Sequence, residues 1–361
     1  MKIVFITPAS QQVIGFRAEL IAALQAAGHT VITISFDDNC REEIEKRNIE
    51  HYSVGGSNRS LNVFKMLGLK GRIKKVIKGI RPDMVFTFML KPNIFGTRAA
   101  KAAKVKTIYS MVEGAGDVFS NNGLKWKFIR RVVCAMYRKS FKIPNKVFFL
   151  NEGDLKEFVA RRLVAADKCD IVCGIGVDTE KFLPSPVENR RTFLMIARML
   201  KTKGVMEYCR AARLVRQKYP DAVFNYLGGE GSVRLQDIKE YIDDGSVKYL
   251  GTTSDVRPYL KDCTALVLPS YREGFPVAVM EAMASGRAAI VSDVNGCRDA
   301  VADGYSGLLV LPRNAEDLAA KIIWCIENPE KTEEFGLNGR KTAVERFDHR
   351  LVNADIMSKI F

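Results

Sequence analysis

Short apolar runs recur along the chain, separated by longer stretches in which apolar side chains return every three or four positions. KIVFIT (2–7), TVITISF (30–36), MVFTFML (84–90), TIYSMV (107–112) and KVFFLN (146–151) have the near-continuous hydrophobicity of strands covered on both faces. A second series begins after residue 190: TFLMIA (192–197), AVFNYLG (222–228), VKYLG (247–251), ALVLPS (265–270), AAIVSD (288–293) and GLLVL (307–311). Helical spacing predicts helices over 16–27, 205–218, 233–243, 276–285 and 316–327. Such alternation of strand and helix is the pattern of parallel α/β sheets. Between the two series, CGIGVDTEKFLPSPVENR (173–190) is rich in Gly, Pro and charge and reads as a boundary. The expectation is two doubly wound domains, residues 1–170 and 171–347. The helical stretch 348–361 is expected to pack back on the first domain, and a ligand to lie in the cleft between domains at the carboxyl ends of the strands.

One position breaks the hydrophobic pattern of the second half. In VAVMEAMA (277–284) every residue except Glu281 is apolar. An unpaired buried carboxylate costs several kcal/mol, so Glu281 requires a partner: either a nearby Arg or backbone N–H, or a ligand bearing hydroxyls. Pro276 suits the first helical position, which places Gly274 and Phe275 at the approach to a helix N-terminus, where free N–H groups attract anions. Glu273 lies on the preceding loop. Two further loops follow predicted strands: ARMLKTKG carries Arg198 and Lys203, and LGGEGS carries Gly228, Gly229 and Gly231. Two basic residues could neutralise a diphosphate without a metal, and the glycines permit close backbone approach to a ligand.

Charge divides the chain unevenly. Residues 1–170 hold 30 Lys+Arg against 15 Asp+Glu, whereas 171–361 hold 26 of each. The excess clusters at 59–106, with 13 basic residues and the single acid Asp83, and at 125–146, with 8 and none. Such clusters suit an anionic partner. Aromatic residues are read as absent from these clusters, which disfavours nucleic acid. The segment 61–80 interleaves Leu61, Val63, Phe64, Met66, Leu67, Leu69, Ile73, Val76, Ile77 and Ile80 with Lys65, Lys70, Arg72, Lys74, Lys75 and Lys78. As a helix it would offer an apolar and a basic side, either for an anionic membrane surface or as a core-facing helix with a basic exterior. The absence of acids from Arg59 to Pro82 favours the membrane. No run approaches the ~20 apolar residues that span a bilayer, and MKIVFITPAS reads as a strand, not a signal peptide. Eight scattered cysteines without a CxxC pair suit a cytoplasmic, reduced chain. With only three histidines, no metal cluster is expected.

These motifs resemble the retaining glycosyltransferases of family 4, which have the GT-B architecture of two facing Rossmann-like domains. The resemblance spans nearly the whole chain. EGFPVAVME carries the family's pair of glutamates, MIARMLKTKGVMEY its basic diphosphate loop and GIGVDTEKFLP its interdomain stretch. It implies a nucleotide-sugar donor, UDP-linked, and no cofactor or metal. Arg198 and Lys203 would bind the donor diphosphate, Glu281 the ribose, Glu273 the transferred sugar, and the backbone of Gly274, Phe275 and Pro276 the sugar and phosphate. MVEGAGDVF, FFLNEGD and SDVNGC resemble, more narrowly, bacterial transferases that extend undecaprenyl-diphosphate-linked saccharides in O-antigen, capsule and N-glycan assembly. That subgroup implies a lipid-linked acceptor at the inner membrane face; a soluble acceptor is the alternative. Two features depart from the family. The first loop, ASQQVIGFR, has only Gly15 where many members carry Gly-Gly. The acceptor-side loop, VEGAGD, has Glu113 and Asp117 but no His.

Overall fold

The computed structural model describes residues 1–56, 68–120, 123–188 and 190–361. The chain forms two compact units: Met1–Ile175 joined by Val352–Phe361, and Gly176–Leu351. The division falls at 175/176 instead of 170/171, because a short strand, Cys169–Ile171, crosses the expected boundary and pairs with Lys146–Phe149. The return point is Val352 instead of residue 348, since Val177 accepts from His349 N and donates to Phe347 O, holding that turn of chain in the second unit.

In the first unit seven parallel strands run β1 (Lys2–Ile6), β2 (Thr30–Ser35), β3 (Glu50–Ser53), β4 (Met84–Phe88), β5 (Thr107–Val112), β6 (Lys146–Phe149) and β7 (Cys169–Ile171). Their order in the sheet is β3-β2-β1-β4-β5-β6-β7. The chain therefore reverses its direction of winding between β1 and β4. Central strands are buried along their length, as their continuous apolar sequences require. The edge strands β3 and β7 have the polar sequences EHYS and CDI and lack such a run.

Over residues 69–80 the basic segment resolves in favour of its core-facing alternative. Leu69–Ile80 is a helix whose Leu69, Ile73, Ile77 and Ile80 are buried in the first unit's core. Its apolar side is thus already covered and cannot also enter a membrane. Arg72 donates to the carbonyls of Val54 and Gly55, which fixes it to the unit. Lys70, Lys75 and Lys78 are exposed, and Leu61, Val63, Phe64, Lys65, Met66 and Leu67 lie outside the described residues.

The second unit holds β8 (Thr192–Ile196), β9 (Val223–Leu227), β10 (Lys248–Tyr249), β11 (Ala265–Leu268), β12 (Ala288–Ser292) and β13 (Gly307–Val310), again all parallel. Their order is β10-β9-β8-β11-β12-β13. Winding reverses between β8 and β11. Open parallel sheets bind ligands beyond the carboxyl ends of their strands at such a reversal. The loops after β8, β9 and β11 carry Arg198 and Lys203, the glycines, and Glu273 respectively, so the topology gathers all three.

Candidate active site

After β8 the chain makes a single 3-10 turn, Lys201–Lys203, and enters the helix Val205–Lys218. Gly204 links them in a left-handed conformation (φ 72°), and a Cβ there would lie 2.1 Å from the carbonyl oxygen of Pro269. Only glycine lets this turn sit against the loop after β11. Tyr271 N donates to Thr202 O at 2.8 Å across the same contact. The result is direct: Lys203 Nζ donates to Glu273 Oε1 at 2.5 Å, and Ser270 Oγ donates to the same oxygen at 2.6 Å. Glu273 is buried and Lys203 half-buried. Two residues assigned separately to sugar and diphosphate therefore form one ion pair.

Arg198 is exposed, and among the described residues its guanidinium has no hydrogen-bond or ion-pair partner. It stands where the loops after β8 and β9 meet. Met199 N donates to Gly229 O at 2.8 Å and Val233 N to Met199 O at 2.9 Å. Gly228 (φ 154°) explains the glycine pair: its Cβ would fall 1.8 Å from the carbonyl oxygen of Ala197. The glycine serves loop against loop, a reason different from the ligand approach expected.

The helix begins at Val277, not at Pro276. Pro276 precedes it in extended conformation (ψ 110°), and its carbonyl accepts from Val279 and Met280 N at 3.1 and 3.2 Å. The N–H groups of Val277 and Ala278 thus head the helix beside Gly274. Phe275 turns its ring inward onto Phe347, with centroids 5.2 Å apart, so only its backbone faces the loop.

The Glu281 carboxylate finds no protein partner within hydrogen-bond or ion-pair distance among the described residues. The neighbouring Arg287 is buried and occupied by the carbonyls of Leu260, Lys261 and Ser185. Burial pushes the Glu281 carboxyl from 4.5 up to about 7, with Lys181 pulling it back and Asp255 adding to the rise. The first of the two alternatives the sequence left open, a nearby Arg or backbone N–H, therefore does not meet this carboxylate among the described residues. Lys181 and Asp255 also line a groove of about 490 Å³ with Phe182, Pro184, Arg257 and Ser285. Neither was anticipated: the first lies on the boundary segment and the second on the loop after β10, with no motif of their own.

Two profiles match the sequence: "Glycosyl transferase 4-like" over residues 2–146 and "Glycosyl transferases group 1" over residues 177–342. The sequence is 32% identical, over 98% of this chain and 96% of the relative, to the N,N'-diacetylbacillosaminyl-diphospho-undecaprenol alpha-1,3-N-acetylgalactosaminyltransferase of Campylobacter jejuni. The chain belongs to family 4 of the glycosyltransferases. It is also 28% identical to the UDP-Gal:alpha-D-GlcNAc-diphosphoundecaprenol alpha-1,3-galactosyltransferase of Escherichia coli, over 70% of this chain and 68% of that one. Solved structures share the GT-B fold. Anabaena HepE, in complex with UDP and glucose, gives a TM-score of 0.82 at 19% identity over 99% of both chains. Sucrose-phosphate synthase of Thermosynechococcus elongatus gives 0.84 at 18% identity, over 99% of this chain and 98% of that one.

In this family 4 glycosyltransferase the remaining predicted residues lie in the first unit. Glu113, just after β5, is ion-paired with Arg17, which is buried, lies 4.3 Å above the ring of Phe88, and is pulled down to about 9 by burial. Arg17 itself escaped the sequence reading, although a lone arginine inside GFRAELIAAL could have signalled it. Asp117 opens the short helix Asp117–Ser120. Gly15 ends the helix Gln11–Gly15 with ordinary helical backbone, and a Cβ there would meet nothing within 4 Å. The first unit's own packing does not require glycine at that point.

Proposed function

We propose that this enzyme transfers a hexose or N-acetylhexosamine from a UDP-sugar, with retention, to a saccharide carried on undecaprenyl diphosphate, as a peripheral protein at the inner face of a bacterial plasma membrane. The observation that carries the donor side is the cluster at the β8/β11 reversal. Arg198, whose guanidinium has no partner among the described residues, and the Lys203–Glu273 pair lie on loops after β8 and β11, and the loop of Glu273 leads into the helix Val277–Ala284 that carries Glu281. A nucleoside diphosphate complements each: phosphates for the cations and N–H groups, ribose hydroxyls for Glu281. Arg198 and Lys203 then stabilise the charge that grows on the leaving diphosphate, which makes the reaction metal-independent. The lipid-linked acceptor is supported by the printed activities of the two curated relatives, and the bacterial inner face by that substrate.

The test is mass spectrometry of products from a panel of UDP-sugars with an undecaprenyl-diphosphate disaccharide and with its free glycan. We expect transfer to the lipid-linked acceptor, an α-linkage by NMR, and full activity in EDTA. Arg198→Ala lowers turnover about 100-fold. Transfer to the free glycan alone would replace the lipid acceptor with a soluble one, and loss in EDTA restored by magnesium would overturn the metal-free mechanism.

A further inference from the structure

The helix Leu124–Ser140 belongs to the first unit and is tied into it along one side. Val133, Cys134, Tyr137 and Ser140 are buried, and Trp126, Ile129 and Met136 pack against the core. At 100° per residue the opposite side is headed by Leu124, Phe128 and Ala135. Leu124 is 85% exposed and Phe128 70%, the two most exposed large apolar side chains among the described residues. Lys127 and Arg131 flank this row on one side, Lys125 and Lys139 on the other, and all four are exposed. No acid occurs between Val118 and Asn151. Against expectation, aromatic residues do stand among these cations, at Trp126 and Phe128.

A helix that needed only solubility would not place Leu and Phe at its outermost positions inside a purely cationic rim. We propose that Leu124 and Phe128 insert into the boundary between headgroups and acyl chains of an anionic bilayer, with Lys125, Lys127, Arg131 and Lys139 on the lipid phosphates. A bilayer offers an apolar phase and an anionic layer at adjacent depths, which is the arrangement of this face. A second copy of the face would set four cations against four. A single-stranded nucleic acid would use aromatic platforms, but Trp126 is turned to the core and the most exposed side chain is aliphatic. This inference rests on the lipid-linked acceptor proposed above, and it assigns the membrane contact to this helix in place of Leu69–Ile80.

The full chain is sedimented with phosphatidylcholine vesicles with and without phosphatidylglycerol. We expect partition into the anionic vesicles to fall about 10-fold or more in L124A/F128A. It falls similarly in K125E/K127E/R131E, which also loses its salt dependence. K74E/K75E, on a helix without exposed large apolar residues, changes it less than about threefold. Phe128→Trp gains quenching by brominated lipid chains beyond that of the parent. Turnover on a short-chain, water-soluble diphosphate acceptor is unchanged in L124A/F128A, which separates this inference from the transferase reading. The proposal is overturned if the parent fails to bind anionic vesicles, if L124A/F128A binds them as the parent does, or if Phe128→Trp is not quenched. It is equally overturned if the same variants abolish binding of a single-stranded oligonucleotide or a concentration-dependent dimer while vesicle binding persists.

Discussion

Glu281 carries a carboxyl with no hydrogen-bond or ion-pair partner among the described residues. Its carboxyl is held near 7 by burial, so between pH 4.5 and 7 the folded protein keeps a proton that the unfolded chain has lost. That contribution favours the fold at low pH and disappears as pH rises through 7. Glu281→Gln is therefore expected to stabilise the unliganded protein at pH 8 by up to about 3 kcal/mol, read as a raised melting temperature, with little change at pH 5. The same substitution weakens UDP-sugar binding about 10- to 100-fold at pH 8, since a charge-assisted hydrogen bond is lost. In the parent, calorimetric affinity is expected to strengthen from pH 6 to pH 8, with a proton released on binding. An affinity that is flat with pH would show that Glu281 does not meet the nucleotide.

At the level of elements, the loops after β8 and β9 are held together by a glycine that side chains cannot replace. Gly228→Ala must move the Ala197 carbonyl, so it is expected to cost at least about 2 kcal/mol, seen as a drop of several degrees in melting temperature. Gly15→Ala, at a helical position with free space, is neutral or stabilising by a few tenths of a kcal/mol. Eleven strands were legible because their sequences are predominantly apolar, the edge strands β10 and β13 of the second sheet included. β3 and β7 were not, since EHYS and CDI carry no apolar run. The helix Leu124–Ser140 was also missed: Leu124 and Phe128 outside, with Trp126 and Ile129 inside, blur the single stripe by which a helix is recognised. That the loops carrying Arg198, Lys203 and Glu273 follow neighbouring strands was legible from the order of apolar runs. The Lys203–Glu273 bond was not, because it depends on how closely Gly204 lets two loops approach.

For the molecule as a whole, the chain begins in the first unit, builds the second, and ends in the first. Val352–Phe361 is fixed there by Lys359, which donates to Ile171 O and pairs with Asp170, by Tyr109, which donates to Ile360 O, and by Phe361 stacked on His29. All 15 excess positive charges lie in this unit. Truncation after Leu351 is expected to lower the melting of the first unit and spare UDP binding by the second. Calorimetric scans would show UDP raising one transition only; at one hundred times its dissociation constant the gain is about 2.7 kcal/mol. A truncated chain that loses UDP affinity would contradict this division of labour.

The bond between Lys203 and Glu273 has a bearing on the end of the catalytic cycle. If the nucleotide binds as proposed, then once the sugar has left it would hold Lys203 through phosphate alone, with Glu273, bonded to Lys203 and fixed by Ser270, placed to take the cation back. On that reading the enzyme carries an internal rival to its own spent product, and the carboxylate proposed for the sugar would help to eject UDP afterwards.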